Sequence, residues 1–147
     1  MKIRRTVIAI VVYNKKILFL KRDNLATIAE QNKWQFPGGH IEKSETPIQA
    51  LTRELVEEVS YAPSNLTYLG KIKNNFREVS IFWSYVDNNQ VKKFKLGEEG
   101  QKIKFMSVKQ ALACDLTKNV KFYLKNYKGL LFKHLENGTV PKIGGLK

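Results

Sequence analysis

The stretch GGHIEKSETPIQALTRELVEEVSY, Gly38 to Tyr61, carries the strongest helix signal in the chain and its densest set of carboxylates. Thr46 stands where an N-cap belongs, Pro47 suits the first helical position, and Gln49 completes a capping box with Thr46. The pattern predicts a helix over about 47–60, with Ile48, Leu51, Leu55 and Val59 on one stripe facing a core. Glu54, Glu57 and Glu58 lie three and four residues apart, so they share a face beside that stripe. Like charges so placed cost an isolated helix about 0.2–0.5 kcal/mol per pair. Taken alone, such a face is ordinarily solvated surface. A hard divalent cation reverses the sign, because Mg2+ and Mn2+ prefer carboxylate oxygens and keep waters that phosphate oxygens can replace. The Gly38-Gly39 turn leads into the same helix and can bring bare backbone carbonyls to the ion. A metal held there would neutralise a pyrophosphate and lower the pKa of a bound water.

Outward from this stretch the patterning turns to strands. Val7 to Tyr13 is a continuous apolar run of β-branched character, and Ile17 to Leu20 returns after the polar break at Asn14-Lys15-Lys16. Residues 23–33 read as a surface loop, and Trp34 to Gly39, with its Pro and paired Gly, demands a turn. After the helix, Leu66 to Ile72, Phe76 to Val86 and Lys102 to Val108 read as strands, and Ser107 to Ala113 as a short helical turn. A last helix is expected over about 119–136, with Val120, Tyr123, Leu124, Tyr127, Leu131 and Leu135 at helical spacing and Gly138 as its stop. The order predicts an α/β (α+β) chain, one domain over 1–147 with a mixed sheet sandwiched between helices.

Composition agrees with a folded domain. Of 147 residues, 43% are hydrophobic and 27% charged, and 8 Phe, 6 Tyr and 2 Trp argue against disorder. No apolar run is long enough to span a bilayer. The opening MKIRRTVIAIVVY imitates a secretion leader, lacks a small-residue cleavage site and reads as a first strand. The single cysteine, Cys114, excludes an intrachain disulfide framework and a cysteine zinc cluster, and a cytoplasmic location is expected.

The spacing around the acidic helix is more specific than its charge. From Gly39 there are five residues to Glu45, seven more to Arg53, then Glu54, the aliphatic Leu55, one residue, Glu57 and Glu58. This resembles the signature of the Nudix hydrolases: G, five residues, E, seven residues, then REUxEExGU, with U bulky and aliphatic. Ser60 departs from it at the last glycine and Tyr61 at the following bulky position. Since the glycine helps the chain leave the helix, a strained or reshaped exit is expected, with activity retained. The hairpin, the FPGG turn and the later strands look like the MutT-like branch, whose members cleave nucleoside triphosphates and their oxidised forms.

The resemblance implies an α/β/α sandwich with a mixed sheet and a Mg2+ cofactor, with Mn2+ as substitute. By position, it implies that Glu57 and Glu58 are metal ligands, that Gly38 offers its carbonyl, and that Glu54 is general base or extra ligand. Arg53 and Glu45 resemble the pair that orients the catalytic helix, and Gly39 supports the turn. Glu99, in the run Gly97 to Gln101, resembles a further metal-binding or base carboxylate, with Glu98 as the alternative. Arg22 and Arg77 match positions around the nucleotide, and Asn119 falls near a residue that reads the base edge. Trp34, Phe36 and Trp83 are candidates to stack on a base; His40, His134 and Cys114 are read as structural or neutral.

The formal charge of +13 and a pI near 9.8 point to polyanionic company. Lys118, Lys121, Lys125 and Lys128 form a cationic stripe on the last helix, either a solvated face or a track for a longer polyanion such as RNA with a 5′ triphosphate. The expected function is a Mg2+-dependent pyrophosphohydrolase that cleaves a nucleoside diphosphate linked to a moiety X. The first choice of substrate is a nucleoside triphosphate, giving monophosphate and pyrophosphate by water attack at phosphorus. The alternatives are RNA 5′-pyrophosphohydrolysis, cleavage of a dinucleoside polyphosphate or nucleotide sugar, and a non-enzymatic nucleotide or RNA sensor. The expected partner is a small nucleotide, with RNA as the alternative, no membrane, and either a monomer or a homodimer.

Overall fold

The computed structural model describes residues 3–137. Strands β1 (Arg4–Tyr13) and β2 (Lys16–Lys21) form the expected hairpin, turning through Asn14 and Lys15 at φ 50° and 63°. Two positive φ values at a two-residue turn match the right-handed twist of the strands they join. Beyond the turn the two strands part. β1 pairs with β2 at Val12 and Tyr13, and further back with β4 (Gly38–His40) at Thr6 to Ile8. β2 pairs with β3 (Trp34–Gln35) at Leu20 and Lys21. Residues 34–40 therefore fill the gap between the hairpin strands, where a turn alone was expected. Segments of two or three residues have no periodicity by which a sequence could announce them.

The other edge of β1 runs parallel with β6 (Arg77–Tyr85), from Arg4 opposite Arg77 to Val12 opposite Tyr85. β5 (Thr67–Lys73) pairs antiparallel with β6, and β7 (Lys102–Met106) antiparallel with β2, completing a mixed seven-stranded sheet. Among the described residues five helices accompany it: α1 (Pro47–Val59), α2 (Asn88–Val91), α3 (Val108–Leu112), α4 (Lys118–Asn126) and α5 (Lys128–Asn137).

The sheet is buried on both faces, and strand alternation sorts its side chains into two cores. Val7, Ala9 and Val11 pack with Leu51, Leu55 and Val59 of α1. Ile8, Ile10 and Val12 face the opposite way, with Val120, Leu124 and Leu131 of α4 and α5. The result is the anticipated α/β/α sandwich with a mixed sheet.

Three details differ from expectation. Ile48 is 39% exposed, because Ala50 takes its place beside Leu51, Leu55 and Val59 against the sheet. The helix expected over 119–136 is two, interrupted at Tyr127 (φ −121°, ψ 18°). Asn126 and Gly129 bracket that break, both weak helix formers, and Asn126 Nδ2 donates to the Phe122 carbonyl at 2.8 Å. Helix α2 was not expected, although Asp87 and Gln90 form a complete capping box. The expected stop at Gly138 lies outside the described residues. Among the described residues, no helix is long and apolar enough to cross a membrane.

Candidate active site

Helix α1 is fixed at both ends. Thr46 Oγ1 accepts from the Gln49 N–H at 3.3 Å, and Gln49 Oε1 accepts from the Thr46 N–H at 2.9 Å, the capping box expected. At the other end Ser60 sits in the left-handed region, φ 65° and ψ 8°. The strained exit anticipated for this position is present. The last carbonyls of α1 are taken by the loop that follows α2: Lys95, Gly97 and Glu98 N–H groups donate to Val59, Glu58 and Glu57 oxygens at 3.0, 2.8 and 3.1 Å. A Cβ on Gly97 would come 1.9 Å from the Glu57 oxygen, so only glycine permits this approach. The approach brings Glu99 to the site, while Glu98 spends its backbone N–H on the helix end.

Arg53 organises the carboxylates at the start of the site. Its Nε and Nη2 clamp both oxygens of Glu45 at 2.8 and 2.9 Å, Nη1 reaches Glu54 Oε1 at 3.0 Å, and Nη2 also donates to the His40 carbonyl at 3.1 Å. A planar fork bound this way fixes geometry as well as charge. Arg53 holds the Glu45 carboxyl down to about 2, helped by the Glu42 backbone N–H. Burial pushes Glu54 up, opposed by the same Arg53.

Glu58 lies deeper. Its Oε1 accepts the Gly38 N–H at 2.8 Å and its Oε2 accepts Gln35 Nε2 at 3.3 Å. Burial raises its pKa to about 8, and the charges of Glu54 and Glu99 push in the same direction. Gly38 itself has φ +148°, and a Cβ there would meet the Val7 carbonyl oxygen at 2.0 Å, so the turn requires glycine. A Cβ on Gly39 would come 2.5 Å from Glu54 Cδ. The paired glycines thus let the backbone lie against β1 on one side and the Glu54 carboxylate on the other.

These groups form one wall of a cavity of about 430 Å³ that also takes in Arg22, Phe36, Arg77, Glu99 and Asn119. The structure therefore brings together the substrate candidates from β2, the FPGG turn, β6 and α4 with Gly38, Gly39, Glu54 and Glu58. Arg77 Nη1 approaches Asn119 Oδ1 at 3.4 Å, and Arg22 donates from Nε to the Ala29 carbonyl at 3.0 Å and from Nη1 to Gln35 Oε1 at 2.6 Å. Glu57 stands apart, half-exposed, 3.6 Å from Arg53 Nη1 and outside the cavity lining. Trp34 and Trp83 do not reach the site; both are core residues. Phe36 lines it while its ring stacks on Phe19 at 5.3 Å. Gln35, Arg4, Thr6, Glu30 and Thr117 line the cavity without having been singled out in the sequence. They come from β1, β3 and the loops around residues 30 and 117, and no spacing relates them to the acidic helix.

The donor chemistry suits a hard cation. Acceptor-only carboxylates converge on one space, and the upward shifts of Glu54 and Glu58 are what a nearby positive charge relieves. Among the described residues, no group of three His, Cys, Asp or Glu side chains is already gathered closely enough to hold a metal ion. Mg2+ asks for less, since it keeps several waters and is bound through one or two carboxylates plus substrate phosphates.

Known proteins agree with this architecture. The NUDIX domain family model matches residues 2–127. An 8-oxo-dGTP diphosphatase of Escherichia coli is 36% identical over 97 residues, 65% of this chain and 72% of that protein. An RNA pyrophosphohydrolase of Hydrogenovibrio crunogenus is 50% identical over 44 residues, which is 30% of this chain and only 27% of that protein. Among solved structures, a MutT NUDIX hydrolase from Burkholderia pseudomallei superposes with a TM-score of 0.70 at 19% identity, covering 85% of this chain and 98% of that one. The chain belongs to the NUDIX family. Within it the protein is MutT-like, a hydrolase of the class that acts on phosphorus-containing anhydrides.

Proposed function

We propose that the protein is a divalent-cation-dependent pyrophosphohydrolase acting on a nucleoside triphosphate, releasing nucleoside monophosphate and pyrophosphate. The observation that carries this reading is the cavity itself, lined by Glu54, Glu58 and Glu99, its carboxylate wall, and by Arg22, Arg77 and Asn119, its cationic wall. A polyphosphate chain bridges such walls, its oxygens meeting Arg22 and Arg77 while a base is read by Asn119 and covered by Phe36. Mg2+ is the expected ion, with Mn2+ as substitute, held by Glu57, Glu58, the Gly38 carbonyl and either Glu54 or Glu99. Bound there, the ion would neutralise phosphate charge and acidify a water. Glu54 keeps Oε2 free of Arg53 and faces the cavity, which suits it to take the proton of the attacking water. The water oxygen bonds to phosphorus as the bridging P–O bond breaks, and pyrophosphate leaves. Arg53 and Glu45 take no part in the bond changes and hold the helix that presents the carboxylates.

A second reading is favoured by the cationic stripe. Asn119 lines the cavity at the start of α4, and Lys118, Lys121 and Lys125 are exposed along the same helix. An RNA with a 5′ triphosphate would lay its backbone along these lysines. One panel separates the two readings. Phosphate and pyrophosphate release is followed with Mg2+ and with Mn2+ on canonical and oxidised deoxynucleoside triphosphates, dinucleoside polyphosphates, nucleotide sugars and 5′-triphosphorylated RNA. Glu58→Gln is the blank. Pyrophosphate from a triphosphate, abolished in the blank, is the expected result; activity confined to RNA and lost at higher salt moves the assignment to the second reading. No product from any substrate, in protein that still binds Mn2+, overturns both.

A further inference from the structure

We propose that Gln35 is a positioning residue that ties the cationic wall of the cavity to its carboxylate wall, holding Arg22 and Glu58 in register. The inference rests on the reading above in taking Glu58 as a metal ligand and Arg22 as a phosphate contact.

The local structure aims the side chain. Trp34 and Gln35 are neighbours on β3, so they point to opposite faces of the sheet. Trp34 enters the core shared with α4 and α5, which leaves Gln35 directed toward α1. There Oε1 accepts from Arg22 Nη1 at 2.6 Å and Nε2 donates to Glu58 Oε2 at 3.3 Å. A guanidinium only donates, so the amide must turn Oε1 to Arg22 and is left with Nε2 to donate to Glu58. A glutamate at 35 would serve Arg22 and repel Glu58; a lysine would do the reverse. With Gly38 N–H on Oε1, Gln35 pins the second oxygen of Glu58 and so fixes the carboxylate plane. With the Ala29 carbonyl on Nε, it fixes the guanidinium of Arg22 where that residue lines the cavity. Groups that orient a metal's ligands from behind change metal affinity or activity by about 10–100-fold when removed.

The test is Mn2+ binding to the full chain without nucleotide, by calorimetry or by the loss of the free-ion EPR signal. Gln35→Met removes both polar atoms at similar length, and Gln35→Ala serves if the Met variant does not fold. The expected result is Mn2+ affinity about 10-fold weaker than wild type, with less than about twofold further loss when the change is added to Glu58→Gln. A non-hydrolysable triphosphate analogue, measured in EDTA, should also bind less tightly to Gln35→Met, and that loss should vanish in an Arg22→Ala background. Unchanged Mn2+ affinity overturns the assignment of Gln35 and leaves the hydrolase reading intact. Equal losses with and without Glu58 overturn it too, since the effect would not pass through that carboxylate. A wild-type chain that binds no Mn2+ removes the metal reading and this inference with it.

Discussion

The two walls of the cavity are built in different ways. The carboxylate wall is over-determined: Arg53 alone makes four short hydrogen bonds, two to Glu45, one to Glu54 and one to the His40 carbonyl, and Glu58 is gripped from Gly38 and Gln35. The cationic wall is held unevenly: Arg22 is fixed by Gln35 and the Ala29 carbonyl, whereas the Arg77 guanidinium reaches Asn119 Oδ1 at a long 3.4 Å. A group of like charges must be held against its own repulsion before any cation arrives, whereas an arginine that meets a polyphosphate is ordered by the ligand it binds. Rigidity therefore sits where charge is concentrated, and adaptability where the variable part of a substrate is met.

Arg53→Lys tests this contrast most strongly. A lysine keeps the charge but loses the fork that clamps Glu45 while reaching Glu54 and His40. The expected outcome is a fall in kcat of about 10–100-fold with little change in nucleotide KM, as for other groups that orient ligands from behind. The same variant has an acid-stability signature. Glu45 titrates near 2 in the folded chain against 4.5 for the free side chain, because Arg53 favours its charged form. That contribution is fully present above pH 4.5 and is lost as pH falls toward 2. Urea melts at pH 7, 4 and 2.5 should show the wild type losing more of its stability with acid than Arg53→Lys does. Equal acid sensitivity in the two proteins would mean that the clamp does not hold the wall.

Arg77→Ala should act on the other wall and in the other kinetic constant. One charge-assisted contact to a phosphate or base is worth about 1.5–3 kcal/mol, so nucleotide KM should rise about 10-fold or more with kcat nearly kept and Mn2+ affinity unchanged. A drop in kcat without a change in KM would place Arg77 among the groups that organise catalysis and erase the division between the walls.

The same division explains what could be read in advance. Apart from Glu99, the carboxylate wall and the groups that hold it lie within one stretch, Gly38 to Glu58, where turn, cap and helix phase are local: spacing put Glu54, Glu57 and Glu58 on one face, and the family resemblance of the same stretch added Glu45 and Arg53. Arg22, Arg77 and Asn119 come from β2, β6 and α4, and only resemblance pointed to them. Gln35 escaped notice altogether: its role depends on β3 slotting between diverging strands, a tertiary event with no periodic trace. Gly97 was seen as part of an acidic run, yet its need for glycine arises from contact with α1, some 40 residues earlier in the chain. Core assignment fared unevenly for a similar reason. Leu51, Leu55 and Val59 are buried as expected, while Ile48 is exposed and Ala50 takes its place against the sheet.

The smallest effect concerns the helix exit, where the chain leaves the carboxylate wall through a strained backbone at Ser60. Ser60 holds φ 65°, where a non-glycine residue costs about 1–2 kcal/mol. Its N–H donates to the Val56 carbonyl at 3.1 Å, and its side chain is exposed. Ser60→Gly would relieve the strain and keep that bond, but glycine loses about 0.5–1 kcal/mol more backbone entropy on folding. The two contributions nearly offset, and the larger one decides the sign: a net gain of about 0.5–1 kcal/mol, or roughly 2–3 °C in Tm for a chain of this size. Activity should stay within about twofold, because the residue touches neither wall and Gly97 and Glu98 already fasten the last carbonyls of α1. A rise in Tm with unchanged kcat would show that the strain is confined to the exit. A rise in Tm accompanied by a clear fall in kcat would show instead that the strained Ser60 sets the angle at which Glu57 and Glu58 are presented, and the rigid wall would then extend one residue further than its hydrogen bonds reveal.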